Sequence, residues 1–118
     1  MSSGRDIAID RLRHMVEAAK SIARYCARGR ATFDGDSAVR DAILYQIVVL
    51  GEAPKAVTSA DPILASQLPE VEWSLLAKMR DRLTHQYWAT DGEIVWSTAT
   101  RDIPPLLTAL TSALERLQ

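Results

Sequence analysis

The stretch Ile43-Leu44-Tyr45-Gln46-Ile47-Val48-Val49-Leu50 decides between two folds. Taken alone, its β-branched and aromatic content suits a strand. Its surroundings do not. Asp36 or Ser37 supplies a helix cap, and the residues out to about Ser59 keep a helical period. No other segment offers a partner strand. The stretch is therefore read as the middle of a helix that is apolar nearly all the way round, which must be buried on more than one side. Two arrangements allow that: a central helix within one chain, or a helix shared with a second copy. The shared helix is expected, since a small bundle leaves most of its helices one exposed face.

Gly51-Glu52-Ala53-Pro54 follows directly. Gly51 allows close approach of another helix. Pro54 has no N–H for the carbonyl of Leu50 and is expected to bend the chain there. Glu52 is either an exposed carboxylate or one that pairs with a cation.

Upstream, a first helix is expected from about Arg5 to Arg28. Leu12, Met15, Val16, Ala19, Ile22, Ala23 and Cys26 form its apolar stripe, and Arg11, Arg13, Lys20, Arg24 and Arg28 lie mostly off it. Gly29 ends that helix, and Arg30 to Gly35 reads as a polar connection. Downstream, Asp61-Pro62 and Leu68-Pro69 bracket a short helical or irregular link. A third helix starts at Glu70 to Glu72, with acids where the helix dipole favours them. Trp73, Leu76, Ala77, Arg80, Leu83, Thr84 and Tyr87 share one of its sides. Asp91-Gly92 makes a turn, and Glu93 to Thr100 a fourth helical piece. Asp102 reads as a cap for a last helix to about Leu117, with Pro104 and Pro105 in its first turn. The expected fold is all-α, an antiparallel up-and-down bundle of four to five helices that dimerises, as one domain over residues 1–118.

The composition narrows the function classes. With 14 Lys and Arg against 15 Asp and Glu, the formal net charge is −1. A non-specific coat for nucleic acid would be basic overall, so any RNA contact must be local. The lone Cys26 excludes an internal disulfide framework and suits a reducing cytoplasm. No apolar run approaches the roughly 18–20 residues of a membrane span. The expected location is cytoplasmic.

Chemistry-bearing side chains crowd into Arg80-Asp81-Arg82-Leu83-Thr84-His85-Gln86-Tyr87. At about 100° per residue, Asp81 and His85 share a face, so the carboxylate can hold and orient the imidazole. Arg80 and Tyr87 are nearly eclipsed on the apolar stripe. A cation there needs a partner, because desolvating it unpaired is costly. Arg80 and His85 diverge by about 140° within one straight helix. They converge if Arg80 folds across the stripe, or if a second copy faces the first across a two-fold axis. Together they suit phosphoryl transfer without a metal. A neutral imidazole takes the proton of a ribose 2′-hydroxyl, while a guanidinium holds the phosphate. Structural readings stand beside these: an ion pair of Arg80 with Glu52 or an interface acid, a surface His85, and a packing role for Tyr87. His14 and Glu17 lack further ligands at metal-like spacing, so no metal and no cofactor are expected.

Arg80-x4-His85-x-Tyr87, with Leu68-Pro69 and Trp73 before it and Asp91 and Val95-Trp96 after it, resembles the HepT-like ribonuclease toxins of the HEPN superfamily. Gly51-Glu52-Ala53 and Asp102-Ile103-Pro104 are similar to that family too. The resemblance implies a helical homodimer with Arg80 and His85, assisted by Asp81, lining a cleft between subunits and cutting RNA without metal. Glu52, Arg82 and Lys78 are the supporting residues. It also implies a partner, a nucleotidyltransferase antitoxin that can neutralise the toxin by transferring AMP to Tyr87. The alternative of another class is a non-catalytic dimeric partner, or a nucleotide- or substrate-binding subunit, of a nucleotidyltransferase.

Overall fold

The structure, a computed structural model, describes residues 3–85 and 92–118, with Thr84 and His85 by backbone alone. The described residues form an all-α fold. Helix α1 spans Gly4–Cys26, α2 Arg30–Gly35, α3 Ser37–Ala60, α4 Trp73–His85, α5 Gly92–Ser97 and α6 Ile103–Leu117.

Ser3 caps α1 through a capping box with Asp6. Asp36 caps α3, its side chain accepting from the Ala38 N–H at 3.0 Å. Between them, Arg30–Gly35 is a helical turn and not the expected connection. Gly29, at φ 94°, turns the chain into it. Phe33 of α2 is buried and meets the Trp96 ring at 5.1 Å. Arg40 donates to the carbonyls of Phe33 (2.9 Å) and Asp34 (2.6 Å), satisfying the end of α2. Its length hid this element: six residues are too few for a periodic pattern, and it stands only through these tertiary contacts. Phe33→Ala is expected to cost about 3–5 kcal/mol by urea denaturation. A loss below about 1 kcal/mol would mean that α2 is not anchored by this ring.

The central position belongs to α3, packed between α1 on one side and α4 on the other. Ile43, Ile47 and Leu50 are fully buried there, and Leu44 and Val49 pack at the edge of the core. A single chain therefore covers much of the stretch that decided the fold. Tyr45, 65 % exposed, is the part left outside. Helix α3 runs through Pro54 to Ala60 without ending.

On α1 the expected stripe is present in Leu12, Met15, Val16, Ala19 and Ile22, joined by Ala8 and Ala18. Ala23 is exposed and Cys26 only half-buried, its thiol pKa raised by burial. On α4 the buried line is Leu76, Met79 and Leu83, with Ala77 exposed. That line is turned toward Met79 from the expected side, which moves Arg80 from the seam's centre to its edge. The link before α4 contains a 3₁₀ turn, Ala65–Gln67, and the Trp73 indole donates to the Ala65 carbonyl at 3.2 Å.

Asp102 is not a cap. Its backbone is helical and its side chain makes no capping bond, because the chain passes from α5 into α6 through a π-helical segment, Thr98–Asp102. The prolines explain the widening. Pro104 and Pro105 cannot donate to the carbonyls of Thr100 and Arg101, so the ladder shifts to a longer step, with Ile103 N–H reaching Thr98 O. Leu110 and Ala113 then bury α6, mainly against α1. Arg116 near its end grips Glu70, which lowers the Glu70 pKa chiefly through that hydrogen bond. Among the described residues, no helix is long and apolar enough to cross a membrane.

Candidate active site

The candidate site lies where α4 crosses α3. Helices meet closely only where side chains are small, and Gly51 supplies that on α3: its Cα faces the Arg80 side-chain root. The contact sets the Arg80 stem against α3. Its Nε atom is out of solvent, 2.8 Å from Glu52 Oε1, in an ion-pair contact not aligned as a hydrogen bond. Nη1 donates to Asp81 Oδ1 at 3.3 Å. Both open readings of Glu52 are met: its carboxylate is exposed and it also pairs with a cation. The Arg80 side chain remains 36 % exposed, so the guanidinium is pinned along one edge while reaching solvent.

Lys78, Asp81, Arg82 and His85 follow one another at positions i, i+3, i+4 and i+7, a single stripe of α4. Lys78, Asp81 and Arg82 are exposed on it. Arg82 is tethered away from Arg80: Nη2 donates to Thr98 Oγ1 at 3.0 Å and lies 4.0 Å from Asp102 Oδ2. Thr98 is buried and itself donates to the Ile94 carbonyl at 2.8 Å. Arg82 thus ties α4 to the π-helical segment. Asp81, expected to orient His85, accepts from Arg80. The His85 side chain, Tyr87, Trp88 and Asp91 lie outside the described residues.

A further ionic clamp supports the site from outside α3 and α4. Arg30 bonds Asp34 at 2.9 Å and also Glu93, and stacks over Phe33 and Trp96 at 5.8 and 5.6 Å. The Glu93 bond, then the Asp34 bond, raises its pKa above the ordinary arginine value. This clamp fixes α5 on α2, just after the segment that leaves His85. A basic residue opening a helix (Arg30) and an acid opening another (Glu93) were the available signal, but pairing 63 residues apart is invisible to helical spacing.

Chemically, the arrangement offers a guanidinium with Nε against Glu52 and Nη1 on Asp81, at the start of the helical turn that leads to a histidine. Such a group can donate to a phosphate oxygen.

Several known proteins are similar to this chain. "Probable ribonuclease HepT" of Thermococcus cleftensis is 34 % identical over 71 residues, 60 % of this chain and 62 % of that protein. Two proteins of Methanocaldococcus jannaschii whose names propose an RNase are each 34 % identical over 74 residues, 63 % of this chain and 61 % and 59 % of theirs. The chain thus spans about three-fifths of the length of the curated relatives it matches. No solved structure matches it. The sequence model of the family described as Ribonuclease HepT-like matches residues 15–113, which include Gly51, Glu52, Arg80, Asp81 and His85. This chain belongs to the Ribonuclease HepT-like family.

Proposed function

We propose that the chain is a metal-independent endoribonuclease, acting as a toxin, in which His85 is the general base and Arg80 stabilises the phosphate. The observation that carries this reading is Arg80 itself. A guanidinium held by Glu52 and Asp81 at a helix crossing, one turn before a histidine, belongs to a chain of a ribonuclease family. Neutral His85 removes the proton of a ribose 2′-hydroxyl, and the 2′-oxygen bonds to phosphorus as the bond to O5′ breaks. The proton returns to O5′ from the imidazolium or through water. The products are a 2′,3′-cyclic phosphate and a 5′-hydroxyl. Arg80 neutralises the charge that grows on the equatorial oxygens. Asp81 orients the site, Lys78 on the same stripe draws in the RNA backbone, and Arg82 supports the site by holding α4 to the π-helical segment through Thr98.

Positions 80 and 85 are separated by about 140° around an ideal helix, and a cleft between two copies brings the two residues to one phosphate. The outward Tyr45 beside the apolar middle of α3 supports a homodimer. Light scattering at micromolar concentration is expected to return twice the mass of the chain; a monomer contradicts the shared cleft. The partner is a nucleotidyltransferase antitoxin that transfers AMP from ATP to the Tyr87 hydroxyl, with pyrophosphate leaving. The added adenylate places bulk and negative charge near Arg80. Intact mass after co-expression is expected to rise by one adenylate, and by none in Tyr87→Phe.

The purified chain, given RNA or DNA of one sequence in EDTA, is expected to cut the RNA and leave the DNA whole, since DNA has no 2′-hydroxyl. Cleavage of both, or of neither, contradicts the reading. The two carboxylates on Arg80 favour a second reading, in which the arginine is structural and the chain is a non-catalytic dimeric partner or nucleotide-binding subunit of a nucleotidyltransferase. Expression without the partner separates the two: a toxin arrests growth and an accessory subunit does not.

A further inference from the structure

We propose that Gly51 is a positioning residue for the proposed cleavage reaction, setting the α3–α4 distance that seats the Arg80 guanidinium on Glu52. The proposal rests on the reading of Arg80 as the phosphate-holding group. A glycine in the interior of a 24-residue helix is intrinsically unfavourable and calls for a physical reason. Here the reason is space. A Cβ at position 51 would overlap the Arg80 Cβ and lie 2.9 Å from its Cγ and 3.2 Å from its Cα. The Cα and Cβ of Arg80 are rigid parts of α4 and cannot swing aside as a side-chain tip could. Any larger residue at 51 therefore moves α4 off α3 at the height of Arg80.

The neighbouring residue on α3 gives that displacement a chemical consequence. Glu52 reaches the Arg80 Nε at 2.8 Å, on the edge of the guanidinium that α3 screens from solvent. An increase of even 1 Å in helix separation opens this contact. The planar group keeps Nη1 on Asp81 at 3.3 Å, a neighbour on its own helix, but loses the contact with α3 that sets its direction against that helix. Glycine at 51 thus determines where the guanidinium points as well as how tightly the helices pack. A misplacement of about 1 Å at a charge-stabilising group lowers turnover on the order of 100-fold.

The test follows the Arg80 Nε–H resonance by ¹⁵N NMR, assigned with Arg80→Lys, alongside steady-state RNA cleavage. In the wild type the Nε–H is expected to be resolved and slow to exchange, and Glu52→Gln is expected to shift it. Gly51→Ala is expected to lose that signature and to lower kcat about 100-fold, with KM changed far less. Leu110→Ala, a buried truncation on α6, controls for simple destabilisation. It is expected to lower Tm while keeping both the resonance and kcat below its own unfolding temperature. Gly51→Ala with wild-type resonance and kcat overturns the proposal, as does a wild-type Nε–H that exchanges freely. That last result stands even where Gly51→Ala fails to fold. A wild type that cuts no RNA but loses the resonance on Gly51→Ala retains the seat and rejects the nuclease reading.

Discussion

His85→Ala is expected to lower the rate of RNA cleavage by about 10²–10⁴-fold, the usual share of a positioned general base. Helix α4 extends to His85, so the residue sits in the last turn of an element anchored by Leu76, Met79 and Leu83. Its replacement leaves that anchor intact, and the thermal midpoint is expected to change little. The pH profile supplies the sign. A base works only when unprotonated, so kcat/KM for the wild type should fall about tenfold per pH unit on the acid side, where the imidazole holds its proton, and level off once that proton is lost. The alanine variant should lack that limb. A variant as fast as the wild type, or one that keeps the same acid limb, would remove His85 from the mechanism.

Arg80→Ala is the second large effect, with a loss of about 10²–10³-fold expected from removing a preorganised donor to the phosphate. Stability should hardly follow. The Arg80–Glu52 pair is about a third to a half exposed, and such pairs contribute about 1 kcal/mol at most. Glu52, freed of its partner, can be solvated. Arg80→Lys separates charge from shape: a lysine ammonium retains the positive charge but has no Nε and no planar fork, so it cannot rest on Glu52 and present a second edge at once. Only a small part of the rate should return. Full activity in Arg80→Lys would mean that charge alone serves the phosphate, and full activity in Arg80→Ala, or activity lost in step with unfolding, would assign Arg80 to the structural ion pair alone.

Much of this was legible in the sequence because helical period carries it. The α1 stripe from Leu12 to Ile22, the cap at Asp36 and the close approach at Gly51 follow from local spacing and backbone chemistry. Ile43 to Leu50 was legible as a helix but not in its surroundings, since an apolar circumference does not say which neighbours cover it; α1 and α4 cover much of it within one chain. Other features were not legible. Helix α2 is too short to show a period and exists through Phe33 and Arg40. The π-helical segment depends on two missing proline donors, whose effect falls several residues upstream at Thr98. At the site, spacing assigns Asp81 to His85, whose side chain lies outside the described residues, and the structure adds that Asp81 accepts from the neighbouring Arg80 guanidinium, which helical spacing does not show. The hydrogen bond of Arg82 goes to Thr98, 16 residues away, a partner that spacing along one helix does not show.

The most direct measurement is the end-group chemistry of RNA cut by the purified chain in EDTA. The predicted result is a 2′,3′-cyclic phosphate on one fragment and a 5′-hydroxyl on the other, with no cut when the nucleotide before the scissile bond is 2′-deoxy. Fragments with 5′-phosphate ends, cleavage of the deoxy-substituted strand, or a requirement for a divalent cation would contradict it.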